Sequence, residues 1–292
     1  MTRHIEAFPL TVADGAVLAA YRAMPQRPAK GLVQIAHGMA EHFSRYARLT
    51  EALTAAGYAV YGIDHRGHGA SAKVHGLGDF GPGGFAAVVA DMAELTRFAK
   101  RERAGAPFAL LGHSMGSFAA QLYLLEHGHE LDALVLTGTA AAAPLLESVS
   151  ASGAAGGLEA FNISFEPART PFDWLSRDEA EVDAYVADPL CGFALTEASM
   201  QSMFTLLAGA AIDPRLGAVL AVLPVLVMSG EADPVVGPDQ AFARALIDAW
   251  HDAGLTRIDH RVYPGARHEL FNEICRDQVT GDLIAWLDAA MT

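Results

Sequence analysis

The chain has 292 residues, of which 52% are hydrophobic and 18% are charged, so one large or two small globular domains are expected rather than a disordered chain. Its formal net charge of −14 repels polyanions and anionic lipid headgroups, which argues against a nucleic-acid partner. The most apolar stretch, Leu216–Met228, is too short to span a bilayer and is interrupted by Pro224. We therefore expect no transmembrane segment, although an apolar patch could contact a neutral lipid interface transiently.

The N-terminus and the cysteines indicate the compartment. Residues 1–6 contain no apolar run followed by a small-residue cleavage site, so no secretory signal is predicted. Only two cysteines are present, Cys191 and Cys275, and they stand in neither a metal-binding nor a redox spacing. These features predict a cytoplasmic protein.

Short apolar runs alternate with longer segments of helical period, a pattern typical of a mostly parallel α/β sheet with helices on both faces. The predicted strands are Ile5–Leu10, Ala16–Tyr21, Gly31–Ala36, Ala59–Ile63, Phe108–Leu111, Ala133–Leu136, Val225–Met228 and Arg257–Tyr263. The predicted helices are Phe43–Ala56, Phe85–Glu102, Met115–His127, Pro238–Asp252 and Asn272–Ala289. No helix separates the first two strands, so the turn residues Ala13-Asp14-Gly15 predict an antiparallel hairpin at the sheet edge.

The alternation stops after the sixth strand. A run of small residues, Ser148–Gly157, precedes a stretch that mixes aromatic and acidic side chains. Ligands of α/β sheets bind at the carboxyl ends of the strands, so an insertion here is expected to be a mobile lid over the site. We predict a lid over residues 141–207 and a core made of residues 1–140 and 208–292. The alternative is a surface embellishment that packs only on itself.

The strongest local signal is Gly112-His113-Ser114-Met115-Gly116, between a predicted strand and a predicted helix. A serine hydroxyl becomes a useful nucleophile when a sharp strand-to-helix turn presents it to a base, and glycines leave room for that turn. The following helix points its free N–H groups towards a developing oxyanion. The pattern predicts Ser114 as the nucleophile, in preference to a simple helix N-cap.

A serine nucleophile needs a base and an acid that orients the base, and in folds of this class the chain order is serine, acid, histidine. Asp233 lies in a loop after the strand that ends near Met228, and Glu231 in the same loop is its competitor. His268 lies in a turn-rich loop after the last strand, where a general base is expected. We predict a Ser114, Asp233 and His268 triad.

An oxyanion needs two N–H donors, one from the residue after the nucleophile and one from the loop after an early strand. The backbone N–H groups of Met115 and Met39 meet these requirements. Of their neighbours, His37 and Gly38 are expected to shape the loop that contains Met39. The elbow residues Gly112, His113 and Gly116 are expected to shape the turn around Ser114.

These motifs together resemble the α/β-hydrolase superfamily, and within it the monoacylglycerol lipase and lysophospholipase-like group of serine aminopeptidase S33-type hydrolases. The matching segments are His37-Gly38-Met39-Ala40-Glu41-His42, Asp64-His65-Arg66-Gly67-His68-Gly69-Ala70-Ser71, the Ser114 elbow, Ser229-Gly230-Glu231-Ala232-Asp233-Pro234-Val235 and Tyr263-Pro264-Gly265-Ala266-Arg267-His268-Glu269. The resemblance implies an α/β-hydrolase fold and ester hydrolysis through an acyl-enzyme on Ser114. It implies no cofactor.

Two details of the resemblance carry further expectations. Many relatives have a glycine where this chain has Ser117. The larger serine side chain would tighten the space beside the nucleophile. The loop that begins at Asp64 is structural in the resembling group, so an ion pair of Asp64 with Arg66 is expected beneath the site.

Rival interpretations remain at this stage. His65, His68 and His75 with nearby acids suggest a metal site, but their spacing matches no known ligand motif and we predict no metal. The core motifs do not separate an esterase from an aminopeptidase, a thioesterase or a lactonase. Acidic residues Asp178–Glu181 would favour a cationic amine substrate, whereas the aromatic residues of the insertion favour an acyl chain. A homologue that only binds its ligand is a more distant alternative.

Overall fold

The structure, a computed structural model, describes residues 5–151, 158–210 and 221–291. The strands of these ranges are β1 (Glu6–Thr11), β2 (Val17–Ala23), β3 (Gly31–Ala36), β4 (Tyr58–Ile63), β5 (Phe108–His113), β6 (Ala133–Thr137), β7 (Val225–Gly230) and β8 (Ile258–Tyr263). They form one sheet in the order β1-β2-β4-β3-β5-β6-β7-β8. The β1–β2 and β2–β4 pairs are antiparallel, and the pairs from β4 to β8 are parallel.

The edge hairpin of β1 and β2 confirms the prediction for the first two strands. Its turn depends on Gly15, which adopts a φ of +86° that a side chain would strain. The Asp14 Oδ1 atom accepts a hydrogen bond of 3.0 Å from the Ala16 N–H, which closes the turn.

Helices cover both faces of the sheet. They are α1 (Ala47–Ala55), α2 (Gly84–Glu102), α3 (Met115–His127), α4 (Ala142–Ala151), α5 (Glu179–Ala187), α6 (Glu197–Ala210), α7 (Ala241–Asp252) and α8 (Arg276–Ala290). Side chains of α2, α3 and α7 belong to the apolar core on one face, and those of α1 and α8 to the core on the other. Successive residues of a strand point to opposite faces, so the fully buried β3 supplies Leu32 to one core and Val33 to the other.

Three predicted helices begin later than the sequence pattern suggests. The segments Phe43–Tyr46, Pro238–Gln240 and Leu270–Asn272 are short 3₁₀ turns. After the last of these the backbone is extended at Glu273, with φ of −81° and ψ of 164°, so α8 begins at Arg276 instead of Asn272.

The connection between β6 and β7 contains α4, α5 and α6, where the sequence pattern predicted no helices. The helix α6 packs against α2 and α3, so this segment contacts the core as well as itself. In the small-residue run, Ser148–Ala151 forms the end of α4, and residues 152–157 lie outside the described residues. The division into a lid and a core stays a prediction.

Within the described ranges, no helix combines the length and the apolar content that crossing a membrane requires.

Candidate active site

The turn between β5 and α3 holds Ser114 at the carboxyl edge of the sheet. Ser114 has a φ of +51° and a ψ of −121°, a strained conformation for a residue with a side chain. Glycines permit the close packing that holds this turn. A Cβ atom on Gly116 would lie 2.2 Å from the Ala36 carbonyl oxygen, and one on Gly112 would lie 2.6 Å from the Gly116 carbonyl oxygen. The predicted nucleophile therefore sits in an elbow that only small neighbours allow.

The loops after β7 and β8 bring the predicted acid and base together. The Nδ1 atom of His268 lies 2.9 Å from Oδ2 of Asp233, and both residues are 2% exposed. The Asp233 Oδ1 atom accepts a hydrogen bond of 2.9 Å from the Val235 N–H, which fixes the carboxylate. The competitor Glu231 accepts instead from the Gly265 N–H at 2.8 Å. Glu231 therefore braces the loop that follows β8 and contains His268, which we call the histidine loop, while Asp233 contacts His268 itself.

Ser114 and His268 both border the end of β6. The Ser114 N–H donates to the Thr137 carbonyl oxygen at 2.9 Å, and a Cβ atom on the next residue, Gly138, would lie 2.5 Å from Cε1 of His268. The ring of His113, which precedes the serine, lies 4.6 Å from the ring of His268. The sheet edge thus brings serine and histidine loops into one site.

The charge of His268 depends on two opposed effects. Burial by itself would lower its pKa, but the Asp233 carboxylate, through its charge and its hydrogen bond, raises the pKa of His268 above the ordinary value. For His113, burial and the neighbouring His268 both act downwards and lower the pKa to about 3. His113 is therefore a neutral ring, while His268 is able to take up a proton.

The loop after β3 lies directly against the nucleophile. A Cβ atom on Gly38 would lie 3.2 Å from the Ser114 Cβ atom, so a side chain there would fill the site. The buried His37 accepts a hydrogen bond from the His65 N–H at its Nε2 atom, and its Nδ1–H donates to the Gly38 carbonyl oxygen at 2.8 Å. In a trans peptide the C=O and N–H groups point in opposite directions. His37 thus holds the Gly38 carbonyl oxygen towards its own ring, and the Met39 N–H of the same peptide points in the opposite direction.

Neither the Met39 N–H nor the Met115 N–H has a hydrogen-bond acceptor among the described residues. Met115 is the first residue of α3, where N–H groups have no partner inside the helix. Both methionines also line the cavity beside Ser114. The two amides that the sequence predicts as oxyanion donors are thus available to a ligand.

A buried charge network connects the loop that follows β3 and contains Gly38 and Met39, which we call the oxyanion loop, to the histidine loop. Glu41 accepts hydrogen bonds from the Gly38 N–H at 2.6 Å and from Arg45 at 2.9 Å. The Arg45 Nη2 atom also donates to Oε2 of Glu269 at 2.7 Å, and Glu269 directly follows His268. Burial would raise the pKa of Glu41, but the Arg45 charge lowers it, so the carboxylate is ionised. Arg45 therefore braces both loops of the site at once.

The family model for serine aminopeptidase S33 hydrolases matches residues 27–274 of this chain. The chain belongs to this family. The monoacylglycerol lipase of Mycolicibacterium smegmatis is 34% identical over an alignment of 279 residues that covers 90% of each chain. The human monoglyceride lipase is 28% identical over 91% of this chain and 84% of its own length. A thermostable carboxyl esterase from Bacillus coagulans, solved with glycerol, superposes over the whole of both chains with a TM-score of 0.87 at 26% identity. These relatives confirm the prediction of an α/β-hydrolase that acts on carboxylic esters.

Beside Ser114, this member of the S33 family has an apolar cavity, which we call the catalytic cavity. Its lining comes from the elbow, the oxyanion loop and the connection between β6 and β7. The lining residues are Met39, Ser114, Met115, Phe118, Ala142, Leu145, Leu146, Val149, Leu158, Ala160, Phe161, Trp174, Met200, Met203, Phe204, Leu207 and Val235. None of these residues is charged, so the cavity is suited to a hydrocarbon group.

Two expectations about neighbouring residues are wrong. Arg66 does not pair with Asp64, because the Asp64 carboxylate accepts hydrogen bonds from two backbone amides and a tyrosine hydroxyl. Arg66 pairs instead with Asp91 on α2 at 2.7 Å and with Asp14 in the edge turn at 3.0 Å. Ser117 does not narrow the catalytic cavity: it is buried and absent from the lining, and its hydroxyl donates to the Ser114 carbonyl oxygen at 2.6 Å.

Trp174 is a site residue whose position the sequence did not predict. Its ring lies 4.7 Å from the ring of His268, and its carbonyl oxygen accepts a hydrogen bond from the His268 N–H. The sequence marked it only as one of several apolar residues of the insertion. The Arg45 network was also missed, although Glu269 next to the predicted base was a possible signal.

Proposed function

We propose that Ser114, His268 and Asp233 are the catalytic triad of a lipase-like esterase that hydrolyses monoacylglycerols or lysophospholipid-type acyl esters. The observation that carries this proposal is the uncharged catalytic cavity, which opens directly at Ser114. The relatives named as monoacylglycerol and monoglyceride lipases support the same class of substrate.

In the proposed reaction, His268 takes the proton of the Ser114 hydroxyl as its oxygen attacks the ester carbonyl. Asp233 holds the protonated Nδ1 atom of His268, so that the Nε2 atom is the one that accepts. His268 then gives the proton to the leaving alcohol, and the acyl group remains on Ser114. Water repeats these steps on the acyl-enzyme and releases the fatty acid.

The tetrahedral intermediates of both steps carry a negative oxygen. The Met39 and Met115 N–H groups are assigned as its donors, since both lack another acceptor among the described residues. The positive end of α3 adds to this stabilisation. His37 acts as a positioning residue through its hydrogen bond to the Gly38 carbonyl oxygen.

The surroundings of the acidic residues in the insertion favour an ester over a cationic amine substrate. Asp178 pairs with Arg276 at 2.7 Å, and Glu181 pairs with Arg48 at 2.6 Å. Glu179 is exposed, and none of the three lines the catalytic cavity. An aminopeptidase would need a carboxylate near the cavity to bind the amino group, and these acids are engaged elsewhere.

We assign residues 141–207 as a lid, because α4, α6 and Trp174 contribute much of the cavity lining. Three exposed apolar side chains of this segment, Ile163, Val186 and Leu190, support a transient contact with a neutral lipid interface. The net charge of −14 favours a neutral over an anionic interface.

A cytoplasmic location completes the proposal. It rests on the two free cysteines, Cys191 and Cys275, which suit a reducing compartment.

The first experiment measures hydrolysis of p-nitrophenyl esters from acetate to palmitate, together with a monoacylglycerol, lysophosphatidylcholine and an aminoacyl-p-nitroanilide. We expect an optimum at medium or long acyl chains and a loss of about 10⁶-fold in kcat for Ser114→Ala, with an unchanged Tm. A fluorophosphonate probe should label the wild type and not the variant. Preference for the anilide would make the protein a peptidase, and absent labelling and turnover would make it a binding protein.

A further inference from the structure

Three side chains of metal-ligating type meet next to the oxyanion loop. One ligand atom each from His42, Asp188 and Cys191 lies within 4.8 Å of the other two. No other group of this kind occurs in the part of the chain that the structure describes. His42 is 146 positions from Asp188, so no spacing in the sequence reveals the group.

Hydrogen bonds already orient two of these ligands. The His42 Nδ1 atom lies 2.6 Å from the Ser44 hydroxyl, and its Nε2 atom lies 2.9 Å from Oδ2 of Asp188. The other carboxylate oxygen, Oδ1, accepts from the Leu190 N–H at 2.8 Å. A histidine that binds a metal usually uses its second ring nitrogen in such a hydrogen bond, which fixes the ring.

The charges around the group favour a cation. Arg45 is the guanidinium that interacts with Cys191, and it is paired with both Glu41 and Glu269. With Asp188, three carboxylates surround one positive charge.

We propose that His42 Nε2, an Asp188 carboxylate oxygen and Cys191 Sγ form a zinc site with a fourth position open to water. Imidazole and thiolate ligands select zinc over magnesium or calcium, which prefer oxygen ligands alone. Ligand atoms around tetrahedral zinc are about 3.5 Å apart, so small side-chain rotations suffice to close the site. Binding releases the thiol proton of Cys191 to solvent, and the proton that His42 Nε2 donates to Asp188 must also leave that atom. His42 stays neutral by taking a proton from solvent at Nδ1, whose N–H then donates to the Ser44 hydroxyl oxygen.

Zinc at this position would join two segments that already touch. The carbonyl oxygen of Ala40 accepts hydrogen bonds from the Tyr185 hydroxyl at 2.9 Å and from the Gly192 N–H at 3.0 Å. Ala40 itself has a φ of +54°, so these bonds hold a strained residue next to Met39. The hydrogen bond between His42 and Asp188 is a third link between the 185–192 segment and the oxyanion loop. The metal would replace this hydrogen bond with coordinate bonds and add Cys191, and so stabilise the folded state.

Cobalt is the probe for this site, because a thiolate bound to Co²⁺ gives an intense near-ultraviolet charge-transfer band. Purified, metal-free protein is titrated with CoCl₂ in the presence of a phosphine reductant, and ZnCl₂ is then added. We expect the band to saturate at one cobalt per chain and to disappear when zinc displaces cobalt. Zinc should also raise the Tm.

The variants separate this site from adventitious binding. Cys191→Ser should abolish the band and the Tm increase, and Asp188→Asn should weaken binding at least tenfold. Cys275→Ser removes the other cysteine and should leave both signals intact. Absence of the band in the wild type, or its persistence in Cys191→Ser, would overturn the proposal. These readouts do not involve ester hydrolysis, so they are independent of the proposed function.

Discussion

Phe161 separates the catalytic cavity from a second hollow, which we call the outer groove. Both are lined by Leu145, Val149, Ala160 and Phe161, so these residues form a shared wall. Phe161 has the largest side chain of the four, and its ring lies 5.0 Å from the ring of Trp174. Its replacement by alanine should open the cavity into the groove.

The expected effect is a longer preferred acyl chain. Burial of one methylene group contributes about 0.8 kcal/mol, which is about a fourfold increase in kcat/KM for each methylene that the opened space accepts. In Phe161→Ala, the kcat/KM of a substrate two methylenes longer than the wild-type optimum should therefore rise about 15-fold relative to the kcat/KM of the substrate that the wild type prefers. The assay is kcat/KM across p-nitrophenyl esters of increasing length for the wild type and Phe161→Ala.

Two control variants test the role of the wall. Phe161→Leu keeps an apolar side chain in the wall and should retain the wild-type profile. Ile163→Ala changes a residue that lines the outer groove alone, so it should not lengthen the optimum. If Phe161→Ala has a wild-type Tm and an unchanged optimum, the idea of a shared wall is wrong.

Three further predictions concern the triad and the buried histidines. Asp233→Asn should lower kcat by about 10⁴-fold, because His268 loses the partner that fixes its tautomer. A lower Tm with an unchanged kcat would instead indicate a structural role for Asp233. Since the pKa of His268 is raised and the base must be neutral, kcat/KM should fall with decreasing pH from somewhat above pH 6.5, and a midpoint well below 6.5 would contradict this. Burial lowers the pKa of His68 to about 3. Below pH 6.5 the unfolded chain therefore takes up a proton at this residue while the folded protein does not, so stability is lost as the pH falls from 6.5 towards 3. This difference in proton uptake lowers the free energy of unfolding by about 2 kcal/mol at pH 5. In urea unfolding, the free energy of unfolding of His68→Asn should therefore fall by that much less between pH 7.5 and 5 than that of the wild type. Equal decreases in the two proteins would refute the assignment.

Local sequence patterns predicted the strands and helices of the core. The alternation of short apolar runs with helical periods predicted the parallel sheet, because such strands are buried on both faces. Helix starts were less accurate. The region before Arg276 forms a 3₁₀ turn and an extended residue, Glu273. The Glu273 carboxylate accepts hydrogen bonds from the Arg177 and Arg267 N–H groups, which are contacts that helical periodicity does not predict.

The helices of the insertion were missed, although α6 carries a helical period. Its residues Met200, Met203, Phe204 and Leu207 recur every three or four positions and line the catalytic cavity. On the side that packs on α2, the polar Ser199 and Ser202 interrupt the apolar pattern, because their hydroxyls accept hydrogen bonds from the Phe80 and Phe85 N–H groups. The pairing of Arg66 was mispredicted because it depends on contacts between distant segments. Asp64 is its near neighbour in sequence, but backbone amides use that carboxylate, and Arg66 contacts Asp91 and Asp14 instead.

The sequence by itself determined the fold class and the candidates Ser114, Asp233 and His268, because each follows a strand and parallel strands end at one edge. Only the tertiary structure decided which acid faces the histidine: Asp233 reaches His268, while Glu231, two residues away, turns to Gly265. Only the tertiary structure also brought His42 to Cys191. Such contacts depend on how distant segments pack, which involves distances of a few ångströms that no local pattern encodes.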